Sequence, residues 1–226
     1  MQRFAWLVAL AAPFLLNDFL IIWVRSGSLL AYWGADVALS VAAPCLLLWY
    51  LDRRHVVPLW EVLRSRLTPA NQPPSGLASG HLWSLVLGAL VAAWLTAVFA
   101  GVVDPVLYWL WPNSYRYSYP LPEVFPMREA VILYVSLRAA VLEEVIFRGV
   151  FITALTRAAV PRWAAIAVSV SAFGCIHWYQ GPAGIVAAAV WAIPLAYWYA
   201  RWRDLLGIVS CHLFYNLLFH ALRAAS

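Results

Sequence analysis

Residues 141–150 read VLEEVIFRGV. Glu143, Glu144 and Arg148 stand in a run otherwise suited to lipid, with Arg138 just upstream. A charge at mid-bilayer costs about 2.5–3.5 kcal/mol on insertion scales, so four unpaired ones would cost on the order of 10 kcal/mol. Such groups must face the interior of a bundle, pair with each other, or titrate to neutral. Helix geometry separates the two glutamates, because neighbours point about 100° apart around the axis. Glu144 and Arg148, at i and i+4, share one face and can bond. Glu143 points elsewhere, towards a cleft. Gly149 follows directly and permits close approach of a neighbouring helix. At this point two readings stand: an ion-pair network that fixes helix packing, or a reactive site.

The rest of the chain supplies the context. Of 226 residues, 65% are hydrophobic and 11% charged, against about half and about a quarter in an ordinary soluble domain. Apolar runs recur over 4–24, 29–51, 82–103, 130–155, 164–178, 184–200 and 205–222. A helix of about 20 residues crosses the hydrocarbon, so the expected fold is all-α: a polytopic transmembrane helical bundle of about seven spans. The fifth and sixth runs are short for a crossing. Pro13 and Pro194 should kink the first and sixth spans. Pro126 and Glu129 suit the start of the fourth. The first run resembles a signal peptide, but it shows no small-residue cleavage site and reads better as a retained span.

All 15 basic residues are arginine, and most lie between apolar runs. Their excess reads as orientation in a bilayer, not as nucleic-acid binding. With seven spans, Arg3, Arg53, Arg54, Arg64, Arg66, Arg157, Arg162, Arg201 and Arg203 share one side. Arg25, Arg116, Arg128 and Arg223 take the other. The N-terminus is therefore expected in the cytoplasm. Arginine without lysine, with abundant alanine and tryptophan, hints at a bacterial source, and so at the inner membrane. Cys45, Cys175 and Cys211 lie in apolar runs and read as small packing side chains, not disulfides. The stretch 68–80, rich in Pro, Gly and Ser, reads as a loop. The aromatic stretch 108–126 reads as an interfacial loop, or more sharply as a lid. No internal repeat is visible. The chain reads as a single membrane domain, with variable N-terminal spans and loops over 1–125 and a core over 126–222 that holds the chemistry.

Two later spans add polar partners. SAFGCIHW sets Phe173 and His177 at i and i+4, and CHLFYNLL does the same for His212 and Asn216. Cys175 and His177 point about 200° apart on a helix, which disfavours thiol chemistry. Asn17, Asp18 and Asp36 are intramembrane polar residues that either pack or line an access route.

These residues resemble the motifs of the CAAX prenyl protease and bacteriocin-processing family of intramembrane endopeptidases. E-E-x-x-x-R is matched by Glu143, Glu144 and Arg148; F-x-x-x-H by Phe173 and His177; H-x-x-x-N by His212 and Asn216. Each is weak alone, but all three occur in order within about 126–220. The resemblance implies a glutamate-dependent intramembrane endopeptidase without a metal. It implies that Glu143 is the general base, that His177 helps hold the water, and that His212 and Asn216 form the oxyanion site. Glu144 and Arg148 would support the site, and Phe173 would pack behind it. The implied partners are the lipid bilayer and a membrane-anchored protein or peptide, cut near its C-terminus or leader. Three alternatives stand beside this reading: a zinc version of the same chemistry, a non-catalytic immunity or partner-binding protein, and a proton-coupled transporter.

Overall fold

The computed structural model describes residues 5–23, 29–64, 77–114, 121–122 and 126–225. Among the described residues the chain is helical, with eight helices and no strand. They are α1 (Ala5–Trp23), α2 (29–53), α3 (Leu59–Arg64), α4 (77–110), α5 (127–157), α6 (Arg162–Cys175), α7 (Gly181–Trp202) and α8 (Leu205–Ala225). A helix covers each of the seven expected spans, so the fold is the polytopic helical bundle. Stretches within α2, α4, α7 and α8 are long and apolar enough to cross a membrane. The apolar parts of α1 and α6 are shorter. α5 is long and carries four charges inside, Arg138, Glu143, Glu144 and Arg148, all buried.

Three helices contain a π-helical stretch: Ala38–Ala42 in α2, Phe99–Val103 in α4 and Glu144–Ile152 in α5. A π turn is wider than an α turn and shifts the side-chain register, and such turns concentrate at functional sites. The stretch in α5 holds most of the EEVIFRG segment. It is braced by Ser169 of α6, whose hydroxyl donates to the Phe147 carbonyl at 2.7 Å.

Packing follows from small residues. α8 lies along α4 and α5, and α6 lies along α7. At the α4–α8 crossing, a methyl on Gly88 would fall 2.6 Å from the Gly207 carbonyl oxygen, so the backbones approach closely. Ser210 donates to the Leu85 carbonyl across the same crossing. Gly149 makes the close approach expected of it, and its neighbour is Val62 of α3.

The structure departs from the expectations at several edges. α3 was not expected, because six residues are too few to show a helical period. It forms because Asp52 accepts the Leu59 backbone N–H at 3.1 Å and because Val57 and Val62 are buried. Residues 77–80, expected as loop, already belong to α4; 68–76 lie outside the described residues. Of the aromatic stretch, 108–110 ends α4, and the Ser114 hydroxyl accepts the Ala183 N–H at the start of α7. Most of the remainder, the segment read as a lid, lies outside the described residues. Pro13 and Pro194 sit inside continuous helices. α6 ends at Cys175, so His177 lies in the turn beyond it and not in the helix as its spacing suggested.

Candidate active site

Glu143 is the last residue of the regular part of α5, and the π turn begins at Glu144. The change of register separates the two carboxylates. Glu144 turns into a fully buried cluster. Its Oε1 lies 3.1 Å from Arg148 Nη1 and 2.8 Å from His212 Nδ1. The Arg148 guanidinium sits 4.0 Å from the Phe173 ring centroid and 5.8 Å from that of Trp191. Trp191 in turn meets the His212 ring edge-on at 4.6 Å. One anion, one cation, one imidazole and two aromatic faces thus close on each other away from lipid. A buried ion pair of this kind is tolerable only when such contacts compensate its desolvation.

Glu143 instead lines a cavity of about 30 Å³, with His177, Arg138, Asn17, Ser40, Phe14, Ile176 and Tyr179. That volume holds at least one water molecule. His177 is oriented by its own chain, since its Nδ1 lies 2.8 Å from the Phe173 carbonyl. A carbonyl only accepts, so Nδ1 carries the proton and Nε2 of the neutral ring keeps its lone pair. The Tyr179 ring stacks on the imidazole, with centroids 6.3 Å apart.

The other sequence-selected residues fall as follows. His212 is buried, with Nε2 4.0 Å from Glu143 Oε2. Because the Glu144 carboxylate accepts from Nδ1, His212 bridges the two glutamates. Asn216 lies one turn further along α8, half-buried, and is not among the cavity-lining residues. Cys175 is exposed and Cys211 buried, so neither faces the cavity with His177. Among the described residues, no three His, Cys, Asp or Glu side chains are spaced to share a metal ion.

Six lining residues were not assigned to the site from the sequence: the apolar Phe14 and Ile176, and the polar Arg138, Asn17, Ser40 and Tyr179. Arg138 and Asn17 did stand out as polar residues inside spans. Ser40 and Tyr179 had no such mark.

A water-sized polar cavity inside a helical membrane bundle, lined by a carboxylate and an imidazole, defines a membrane-embedded site suited to acid–base chemistry. Residues 127–218, which contain all three motifs, match the family described as Type II CAAX prenyl endopeptidase Rce1-like. That stretch is therefore similar to the CAAX proteases, and four of the helices are long and apolar enough to cross a membrane. No curated protein and no solved structure matches it significantly.

Proposed function

We propose that the protein is a glutamate-dependent intramembrane endopeptidase that cuts a membrane-associated protein or peptide near its C-terminus or leader. The observation that carries this is the shared cavity of Glu143 and His177, with His212 4.0 Å from the same carboxylate. Glu143 takes a proton from a water molecule held between it and His177 Nε2. The water oxygen adds to the scissile carbonyl carbon, and negative charge develops on the carbonyl oxygen. Donors are needed where that charge appears. In this reading Asn216 supplies its amide, and His212, held through Nδ1 by Glu144, completes the oxyanion site. The C–N bond then breaks, and the proton on Glu143 passes to the leaving amine. The second water proton stays on the new carboxyl group, so the products are a carboxylic acid and an amine, which become carboxylate and ammonium by proton exchange, and atoms and charge balance. Glu144, Arg148 and Phe173 hold His212 in place.

This chemistry uses no resident metal. Metal analysis of purified active protein tests that part: a stoichiometric metal lost together with activity would overturn it. The host is proposed to be a bacterium, with the protein in its inner membrane and the N-terminus in the cytoplasm.

The main test compares membrane proteomes of cells carrying the wild-type protein or Glu143→Gln at equal levels. Uncut precursors should accumulate in the variant. If E143Q processed its native precursor at the wild-type rate, Glu143 would not be the base.

A further inference from the structure

The height of the Glu143–His177 cavity in the bundle follows from three helices. Ser40, in the cavity lining, precedes the end of α2 at Arg53 by thirteen residues, and Glu143 precedes the end of α5 at Arg157 by fourteen. α6 runs fourteen residues from Arg162 before the turn that holds His177. At about 1.5 Å per residue, each helix sets the cavity roughly 20 Å from its arginine-bearing end. Those ends lie together. Arg157 pairs with Glu61 of α3, which follows α2, and a four-residue turn joins α5 to α6. Arg203, between α7 and α8, donates to Thr153 one turn before Arg157.

Aromatic side chains mark the two levels where a bilayer ends. The exposed tryptophans at the arginine-bearing end include Trp49, Trp60, Trp163 and Trp202. The Arg53 and Arg201 guanidinium groups lie over the Trp49 and Trp202 rings, 5.4 and 5.9 Å from the centroids. At the other end Trp109 and Trp111 are exposed where α4 stops, and Trp178 is exposed beside His177. The Ser114–Ala183 hydrogen bond ties the end of α4 to the start of α7, and so to the turn that holds His177. The hydrocarbon is about 30 Å thick, so a site 20 Å from the first aromatic level stands roughly 10 Å from the second. Towards the first level the way is packed: Phe147, Val150, Phe151 and Leu155 of α5 are all buried in the apolar core. The exposed arginines Arg53, Arg54, Arg157, Arg162 and Arg201 mark that end as cytoplasmic.

We propose that the cavity opens to the extracytoplasmic face, at the level of Trp109, Trp111 and Trp178, and that its substrates are chains already carried across the membrane. The word substrate rests on the hydrolase reading; the direction of access does not. The test uses the full chain in a bacterial membrane, with Cys45 and Cys175 replaced by alanine and the buried Cys211 kept as baseline. Into it go His177→Cys and Tyr179→Cys, which line the cavity and exchange a ring for a small thiol, and Arg162→Cys at the far end. Each is treated with a charged, membrane-impermeant methanethiosulfonate, once in spheroplasts and once in sealed inverted vesicles. Thiols left unreacted are then read in detergent as the mass shift given by a polymer-linked maleimide.

H177C and Y179C should lose the mass shift in spheroplasts and keep it in inverted vesicles, and R162C should do the reverse. Cavity cysteines blocked only in inverted vesicles, from both sides or from neither overturn the proposal. R162C blocked in spheroplasts overturns the orientation on which it stands. Two cavity reporters guard against one variant that fails to fold, which thermal unfolding identifies. Labelling from the cytoplasmic side, with a parent chain that still cuts a membrane precursor, removes the outward opening and leaves the hydrolase reading standing. Labelling from outside, with a parent chain that cuts nothing, does the reverse.

Discussion

Replacing Gly149 by alanine is the most direct perturbation of the EEVIFRG segment that touches none of its polar groups. The new methyl would lie 2.4 Å from Val62 Cγ1 and 3.6 Å from the Glu144 carbonyl oxygen. The first distance is far inside contact, so something must shift. Val62 is fully buried, and the groups that hold α3 include the Asp52 cap, Val57, and the Glu61–Arg157 ion pair at the surface. Overpacking of this size costs about 1–3 kcal/mol. For a chain of this length, that corresponds to a fall in Tm of roughly 2–4 °C per kcal/mol. Val62→Ala alone leaves a cavity and should also destabilise. The double variant puts one methyl back where others were removed. It should therefore be more stable than the sum of the single effects, by about 0.5–3 kcal/mol of coupling. Thermal unfolding in mild detergent, followed by tryptophan fluorescence, measures all four proteins. An unchanged Tm for G149A, or strict additivity in the double variant, would refute the close α3–α5 contact.

Other outcomes follow from the same geometry. Arg148→Met leaves Glu144 buried without its cation and should cost about 3–5 kcal/mol, whereas adding Glu144→Gln to it should recover much of that loss in a denaturation assay. Ser169→Ala strips the Phe147 carbonyl of its side-chain donor and should cost about 1–3 kcal/mol, with Ser169→Thr milder if its methyl is accommodated. His177→Ala should abolish peptide cleavage while leaving Tm within about 1–2 °C, since the half-buried ring bonds only its own turn. A large Tm loss there would mean that His177 is a packing residue.

The helices were legible because uncharged apolar runs longer than a bilayer crossing have few other meanings. The Glu144–Arg148 pair was legible from i, i+4 spacing, and it formed at 3.1 Å. The gap at Gly149 was legible as a close approach, although its partner was not, because α3 has only six residues and shows no periodic pattern. His177 was placed on a helix by its spacing from Phe173, yet the helix stops two residues earlier. The ring still reaches back to Phe173 because a hydrogen bond to its carbonyl replaces the helical contact. Asn17 and Asp36 were legible as polar residues inside spans that either pack or line an access route, but their meeting with Tyr134 and Arg138 was not. Asn17, Asp36 and Ser40 are far in sequence from Tyr134 and Arg138, and only packing of α1 and α2 against α5 brings them together. Ser40 is an ordinary small residue in an apolar run, and nothing in its neighbours marks it.

The cavity draws its surfaces from two parts of the chain: α5 and the turn after α6 give Glu143 and His177, and the first two helices give Asn17 and Ser40. On the proposed hydrolase reading, exchanging α1 and α2 for another pair with the same packing face would re-tailor which polypeptides are admitted while Glu143 and His177 stay in place. A chimaera of that kind would behave as the same tool fitted with a new jig.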